Sequence, residues 1–235
     1  ALGVDPSGLT PEELYRVLMT TDSGRLRHIL GTSTKVEKGE DEGVLTRVCY
    51  MAASIRSGVN VCAWASDGCA EACLGHTTGR LKMNQSQRAQ LYKTCAWFVC
   101  RERFLAQLDA EIGMHTFEAR AAGMRAAIQL NGSSDIVWEK YGVPQRHPTV
   151  QFYDYTKAPY KARARRPFNY HLTFSLDERP ESMERALVWL AHGGSVAVVV
   201  AGETHKLSEA KSVASQLVAL GWKGYDAIDG DKSDV

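Results

Sequence analysis

The chain has 235 residues, 44% of them hydrophobic and 23% charged, a balance that excludes a disordered or collagen-like protein and suffices for one sizeable core. Its 28 Lys and Arg nearly cancel its 27 Asp and Glu, so overall charge makes no case for a nucleic acid or an anionic membrane, and any basic patch has to be local. No apolar run approaches the roughly 20 residues of a membrane helix, and the start lacks the basic-then-apolar layout of a signal peptide. The expectation is a soluble single α/β domain over 1–235, with an accessory N-terminal part (1–43) and a cofactor-binding core (44–235).

In chain order, Thr10, Pro11 and Glu13 form a helix start: a capping threonine, a proline at the first helical position and a glutamate placed to close a capping box. The charged stretch Lys35 to Gly43 reads as a solvated loop or mobile linker. Leu45 to Met51 has strand composition. From Asn84 to Ile112, apolar residues recur at helical spacing. Five short apolar runs follow, AAIQL, TVQFY, YHLTF, SVAVVVAG and YDAI, each ending in polar residues. Helical patterns separate several of them, clearest over Glu181 to His192 and Ser208 to Leu220. Strands alternating with amphipathic helices predict a parallel sheet covered by helices, with functional groups just past the strands' carboxyl ends. Polar side chains at every strand exit favour a barrel-like βα sheet, a partial or complete TIM type, over an open doubly wound one.

Cys62, Cys69 and Cys73 lie within twelve residues, while the final 135 residues hold no cysteine. That clustering suggests a metal or redox site in a reducing compartment rather than a disulfide scaffold. Three soft thiolates from one loop suit three corners of a cuboidal iron-sulfur cluster. Zinc with His76 as fourth ligand is a weaker reading, because no second cysteine pair matches a zinc ribbon. Three metal-free buried thiols are weaker still in a segment carrying Asp67, Gly68, Glu71 and Gly75. Cys69 and Cys73, four apart, share a face if Cys69 opens a helical turn, and Gly75 and Gly79 let the backbone and Arg80 approach an anionic cofactor. Cys49, on the first strand, is a candidate fourth thiolate or an ordinary core residue; Cys95 and Cys100 read as small core hydrophobes.

The ordered set of Cys62/Cys69/Cys73 with Gly79-Arg80, Gln87-Arg88 with Lys93-Thr94, Leu130 to Asp135 with Trp138-Glu139, Tyr153 to Lys157, and Asp229-Gly230-Asp231 resembles the gene-product-88 family of phage and plasmid proteins. The resemblance implies a phage-encoded protein in a bacterial cytoplasm, binding a 4Fe4S cluster accompanied by a flavin (FMN or FAD). The family usually runs on beyond the terminal aspartates, so a further segment could complete the site. The barrel expectation also resembles radical S-adenosylmethionine enzymes, although the usual cysteine spacing is absent.

Further candidates stand at the strand exits. Asn131, Ser133, Ser134 and Asp135, with Trp138, offer donors and acceptors for the polar edge of a flavin or of adenosylmethionine; alternatively Ser134 or Asp135 caps the next helix. Tyr155 suits stacking on a cofactor ring, and Lys157 suits a phosphate or a reduced flavin. Ser175 and Asp177 end the HLTFS strand, and His205 follows VAVVVAG. Lys157, Lys161, Arg163, Arg165 and Arg166, with Tyr160 and Phe168, form the one basic patch that could meet nucleic acid. Dinucleotide, phosphate-loop and calcium patterns are absent or incomplete. The sequence therefore favours an iron-sulfur redox protein with a small-molecule cofactor and an unidentified redox partner. A radical adenosylmethionine enzyme and a zinc-stabilised nucleic-acid-binding module are the alternatives.

Overall fold

The structure, a computed structural model, describes residues 8–21, 28–53, 56–77, 79–200 and 207–230. Six strands form one sheet in sequential order: β1 (Leu30–Gly31), β2 (Val44–Cys49), β3 (Arg125–Gln129), β4 (Gln151–Thr156), β5 (Tyr170–Ser175) and β6 (Ser195–Ala197). All neighbours from β2 to β6 are parallel, and β1 pairs antiparallel with β2 through Leu30 opposite Cys49. The helices are α1 (Pro11–Thr21), α2 (Thr34–Glu37), α3 (Asp67–Glu71), α4 (Leu74–Thr77), α5 (Asn84–Val99), α6 (Arg101–Ala121), α7 (Val143–Arg146), α8 (Tyr160–Arg163), α9 (Pro180–Ala191) and α10 (Leu207–Leu220).

Parallel order and sequence order coincide, which is the strand order of a barrel segment, but no β1–β6 pairing closes the ring among the described residues. The edge of β2 that a barrel needs for closure is taken by antiparallel β1. The two β1-side amides, Ile29 N–H and Leu30 N–H, are tied to the buried Glu111 carboxylate of α6 at 2.8–3.0 Å. A complete barrel is thus replaced by an open mixed sheet. The YDAI segment forms no strand; only an isolated bridge between Trp222 and Tyr225 is present there.

Two other expectations change. Lys35 to Gly43 is not a loop but α2 followed by a 3-10 turn over Lys38–Glu42, because Val36 and Gly39 are buried and anchor it. The long helical pattern from Asn84 is two helices broken at Cys100 (φ −132°, ψ 48°), and the second runs on to Ala121. The α1 start is as read: Thr10 N–H and Oγ1–H donate to Glu13 Oε2 at 2.8 and 2.9 Å, and Glu13 N–H donates to Thr10 Oγ1 at 3.2 Å.

Strand alternation sets which side each residue serves. Phe152 on β4 and Tyr170, Leu172 and Phe174 on β5 join the main core with Trp97, Phe104, Leu108, Trp138 and Trp189 from the α5, α6 and α9 side. Trp138 and Trp189 are fully buried; truncating either to alanine costs about 3–5 kcal/mol. Tyr153 and Tyr155, and His171, Thr173 and Ser175, therefore face the other side of the sheet. There Val44, Ala127 and Tyr153 make a small buried cluster, while Tyr155 remains 36% exposed and Thr173 and Ser175 half-buried. No described helix is long and apolar enough to cross a membrane.

Candidate functional site

The cysteine loop is docked onto the carboxyl end of β5. Ser66 caps α3, accepting from Cys69 N–H at 3.1 Å, and its hydroxyl donates to Glu178 Oε2 at 2.9 Å. Gly68 N–H donates to Glu178 Oε1 at 3.0 Å, and a Cβ on Gly68 would sit 2.9 Å from that oxygen, so glycine permits the approach. Arg179 is held by Asp177 and donates to the Trp64 carbonyl at 2.9 Å. On the other flank, Cys62 Sγ lies 3.8 Å from Ser133 O. Gly75 presses on the same serine: a Cβ there would fall 2.7 Å from Ser133 Cβ and 3.4 Å from Cys73 Sγ.

Cys62, Cys69 and Cys73 are half-buried thiols, none in a disulfide. Burial pushes the Cys69 thiol up, and Lys157 opposes the shift, while Cys73, Asp177 and Glu178 add to it. Cys69 and Cys73 do not share a helix face, because α3 ends at Glu71 and Cys73 lies in the break before α4. Among the described residues, no three His, Cys, Asp or Glu side chains are drawn together closely enough to hold a metal ion. The donor chemistry of the three thiols is that of a thiolate-bound group. Holding one requires the loop to bring its sulfurs closer together.

A second constellation lies on the helix-covered side and satisfies itself. Asn131 donates from its backbone N–H to Asp154 Oδ1 (2.6 Å) and from Nδ2 to Asp154 Oδ2 (3.2 Å) and Ile136 O (3.0 Å). Its Oδ1 accepts from Ser134 Oγ, Ile136 N–H and Trp138 Nε1 at 2.9–3.0 Å. Asp135 accepts from Thr156 Oγ1 (2.8 Å), Lys157 N–H (2.9 Å) and Arg163 (3.2 Å). Arg163, fully buried, also forks onto Glu139 (2.7 and 3.1 Å) and bonds Thr156 Oγ1 (3.2 Å) and Tyr170 OH (3.1 Å). Tyr170 OH in turn donates to Asp154. Burial pushes the Asp154 carboxyl up to about 8 against the Tyr170, Asn131 and Arg163 contacts. It also raises Asp135 despite Arg163.

The candidate cofactor residues thus separate into two groups. Asn131, Ser134, Asp135 and Trp138 have their bonding groups consumed inside this network and hold the β3 and β4 exits in place; neither Ser134 nor Asp135 caps the 3-10 turn Trp138–Tyr141. Ser133 braces the β2 exit, donating to Met51 O (2.6 Å) and accepting from Met51 N–H (3.0 Å). Lys157 and Ser175 instead meet on the opposite face, which Tyr155 also faces: Lys157 Nζ donates to Ser175 O (3.1 Å) and Oγ (3.3 Å) and stands 3.7 Å from Asp177 Oδ2. That is also the side on which Lys157 meets Cys69.

Arg80 is exposed on the 3-10 turn Gly79–Lys82. Cys49 points into the main core, fully buried, its thiol pushed up to about 11 by burial despite the nearby Lys93. The His76 side chain and His205 lie outside the described residues. Sequence reading missed Ser66, Glu178 and Tyr170. Ser66 before Asp67 carries a helix-cap signal; Glu178 and Tyr170 carry none, because their partners lie 112 and 16 residues away.

Fold and site together define an open, sequentially ordered α/β protein with a three-thiol loop at the carboxyl ends of its parallel strands, where such sheets carry their ligands. A family model described as gene product 88 matches residues 26–235, and the chain belongs to that family. No curated protein and no solved structure matches it.

Proposed function

We propose that the protein is an iron-sulfur redox protein that carries a 4Fe4S cluster on Cys62, Cys69 and Cys73 and a flavin on the adjacent open face of the sheet. The observation that carries this reading is the three-cysteine loop anchored at the strand ends, with Lys157 acting on the Cys69 thiol and the exposed Tyr155 on the same face of the sheet as Lys157. A cluster when bound supplies one-electron chemistry. The chain's own residues do the rest: Glu178 and Ser66 anchor the loop, Ser133 and Gly75 set its depth, and Lys157 places a positive charge where thiolate or reduced-flavin charge develops. Tyr155 offers a ring for stacking, and Ser175 orients the Lys157 ammonium.

Because Cys49 is turned into the core, the loop supplies three thiolates, which leaves the same donor set suited to S-adenosylmethionine at an open iron. The test is anaerobic isolation followed by the absorption spectrum, iron and acid-labile sulfide analysis, and cofactor release. Broad visible absorbance that is lost in Cys62→Ser, Cys69→Ser and Cys73→Ser but retained in Cys95→Ser supports the cluster, and a released flavin supports the second cofactor. Adenosylmethionine cleavage without flavin selects the alternative occupant. Colourless protein with stoichiometric zinc, or with no metal, refutes the reading.

A further inference from the structure

The basic run that looks continuous in sequence is divided by the fold. Arg163 is sealed inside the network described above, and Lys157 is turned to the rim of the thiol loop. What remains is a separate cleft beside the amino-terminal end of β5 and the C-terminal end of α9. Its volume is about 310 Å³, and Tyr160, Arg166, Phe168, Tyr170 and His171 line it together with Ala164 and Pro167. No Asp or Glu lines this cleft.

Three features of the cleft are matched to one kind of ligand. Phe168 is 91% exposed, an aromatic ring held out in water on a connection that Pro167 stiffens. The Arg166 guanidinium lies over the rings of Tyr160 (5.5 Å) and Trp189 (5.1 Å), which fixes its plane, and it donates to the Arg163 carbonyl at 3.3 Å. Lys161 and Arg165 are exposed on the same connection. His171 is held toward its neutral form by burial and by Arg166 and bonds Ser195 Oγ at 3.1 Å, so it contributes a polar edge rather than a charge.

An exposed ring that shares the cleft with Arg166, with Lys161 and Arg165 exposed on the same connection and no carboxylate in the lining, presents what a base joined to a phosphate requires: a stacking surface and positive charge near it. A purely apolar partner would leave Arg165 and Lys161 facing nothing, and an inorganic anion would leave Phe168 uncovered. We propose that this cleft binds single-stranded nucleic acid, with one base stacked on Phe168 and the neighbouring phosphates at Arg166, Arg165 and Lys161. The nucleoside phosphate unit is the chemistry recognised, and the polymer is its source. The site is independent of the thiol loop and does not rest on the redox reading.

The test is fluorescence anisotropy of the full chain with a labelled 12-nucleotide oligothymidylate at low salt. Phe168→Ala, an exposed change, is expected to weaken binding about tenfold, within the range of one lost base stack, with no change in the melting temperature. Arg165→Glu and Lys161→Glu are expected to weaken binding and to flatten its dependence on salt by about 0.7 in logarithmic slope per lost phosphate contact. Cys62→Ser is expected to bind normally, which separates failure here from failure of the proposed redox function. Absence of saturable binding, binding unaffected by Phe168→Ala and both charge reversals, or equal affinity for thymidine monophosphate would each overturn the assignment.

Discussion

Replacing Arg163 by alanine tests the network that carries the strand exits. The guanidinium is fully buried, and its donors reach Glu139, Asp135, Thr156 and Tyr170. Its two carboxylate partners are also enclosed, with side-chain exposures of 10% for Asp135 and 4% for Glu139. Removal leaves two buried carboxylates without their cation, and breaking a buried pair of this kind costs about 3–5 kcal/mol. For a chain of this size that corresponds to a melting temperature lower by about 10 °C. Arg163→Lys keeps the charge but loses the planar fork, so it is expected to fall between wild type and alanine.

The loss is also expected to depend on pH. Without Arg163, burial acts on Asp135 against the Thr156 and Lys157 hydrogen bonds only, keeping its folded pKa above the unfolded one. Its penalty is then absent below about pH 4 and grows as pH rises toward the raised value. Urea unfolding followed by tryptophan fluorescence at pH 5 and pH 8 measures both effects, and Glu139→Gln in the alanine background recovers part of the loss if the pair is the cause. An Arg163→Ala protein within about 1 kcal/mol of wild type, a typical solvent-exposed pair, refutes the buried-network account. So does a deficit that is the same at both pH values.

Two further perturbations address the site. Gly75→Ala places a methyl 2.7 Å from Ser133 Cβ, so it is expected to cost about 1–3 kcal/mol by overpacking and to lower iron content on anaerobic isolation; wild-type stability together with wild-type iron would show that the loop does not press there. Asp154, with its carboxyl raised to about 8 by burial, holds a proton in the folded state that the unfolded chain releases above about pH 4. Stability from this residue is therefore full below pH 4, declines as pH climbs toward 8 and levels off beyond it. Asp154→Asn is expected to flatten that segment of the urea-midpoint profile, and an unchanged profile would assign the pH dependence elsewhere.

Much of the local structure is legible in the residues themselves. Thr10, Pro11 and Glu13 define the α1 start because every partner in a capping box lies within one turn. The strands β2 to β5 are announced by apolar runs of strand composition, and the β2–β3 crossover and the helix after β5 by helical periodicity. The break at Cys100 is not legible, since the apolar spacing continues through it. Nor is the two-residue strand β1, which exists through pairing with β2 and the bonds its amides donate to Glu111, more than 80 residues away. That short strand decides that the sheet stays open.

The site divides along the same line. Sequence alone determined that three soft thiols share one loop, that polar groups crowd the strand ends, and that a basic run follows β4, because residue type and spacing along the chain carry those properties. Only the tertiary structure decided which of those groups face a ligand. Asn131 and Asp135 turn to the helix-covered side and are satisfied there, Asn131 by Asp154 and Asp135 by Thr156 and Arg163, whereas Lys157 and Ser175 meet at the rim of the other face. Lys157 and Arg163, six positions apart in one basic run, end respectively beside the thiol loop and sealed from water. The physical reason is that a charged side chain goes where its distant partners are. For Arg163 these are Glu139 and Asp135, 24 and 28 residues back along the chain; for Lys157 it is Ser175, 18 residues ahead.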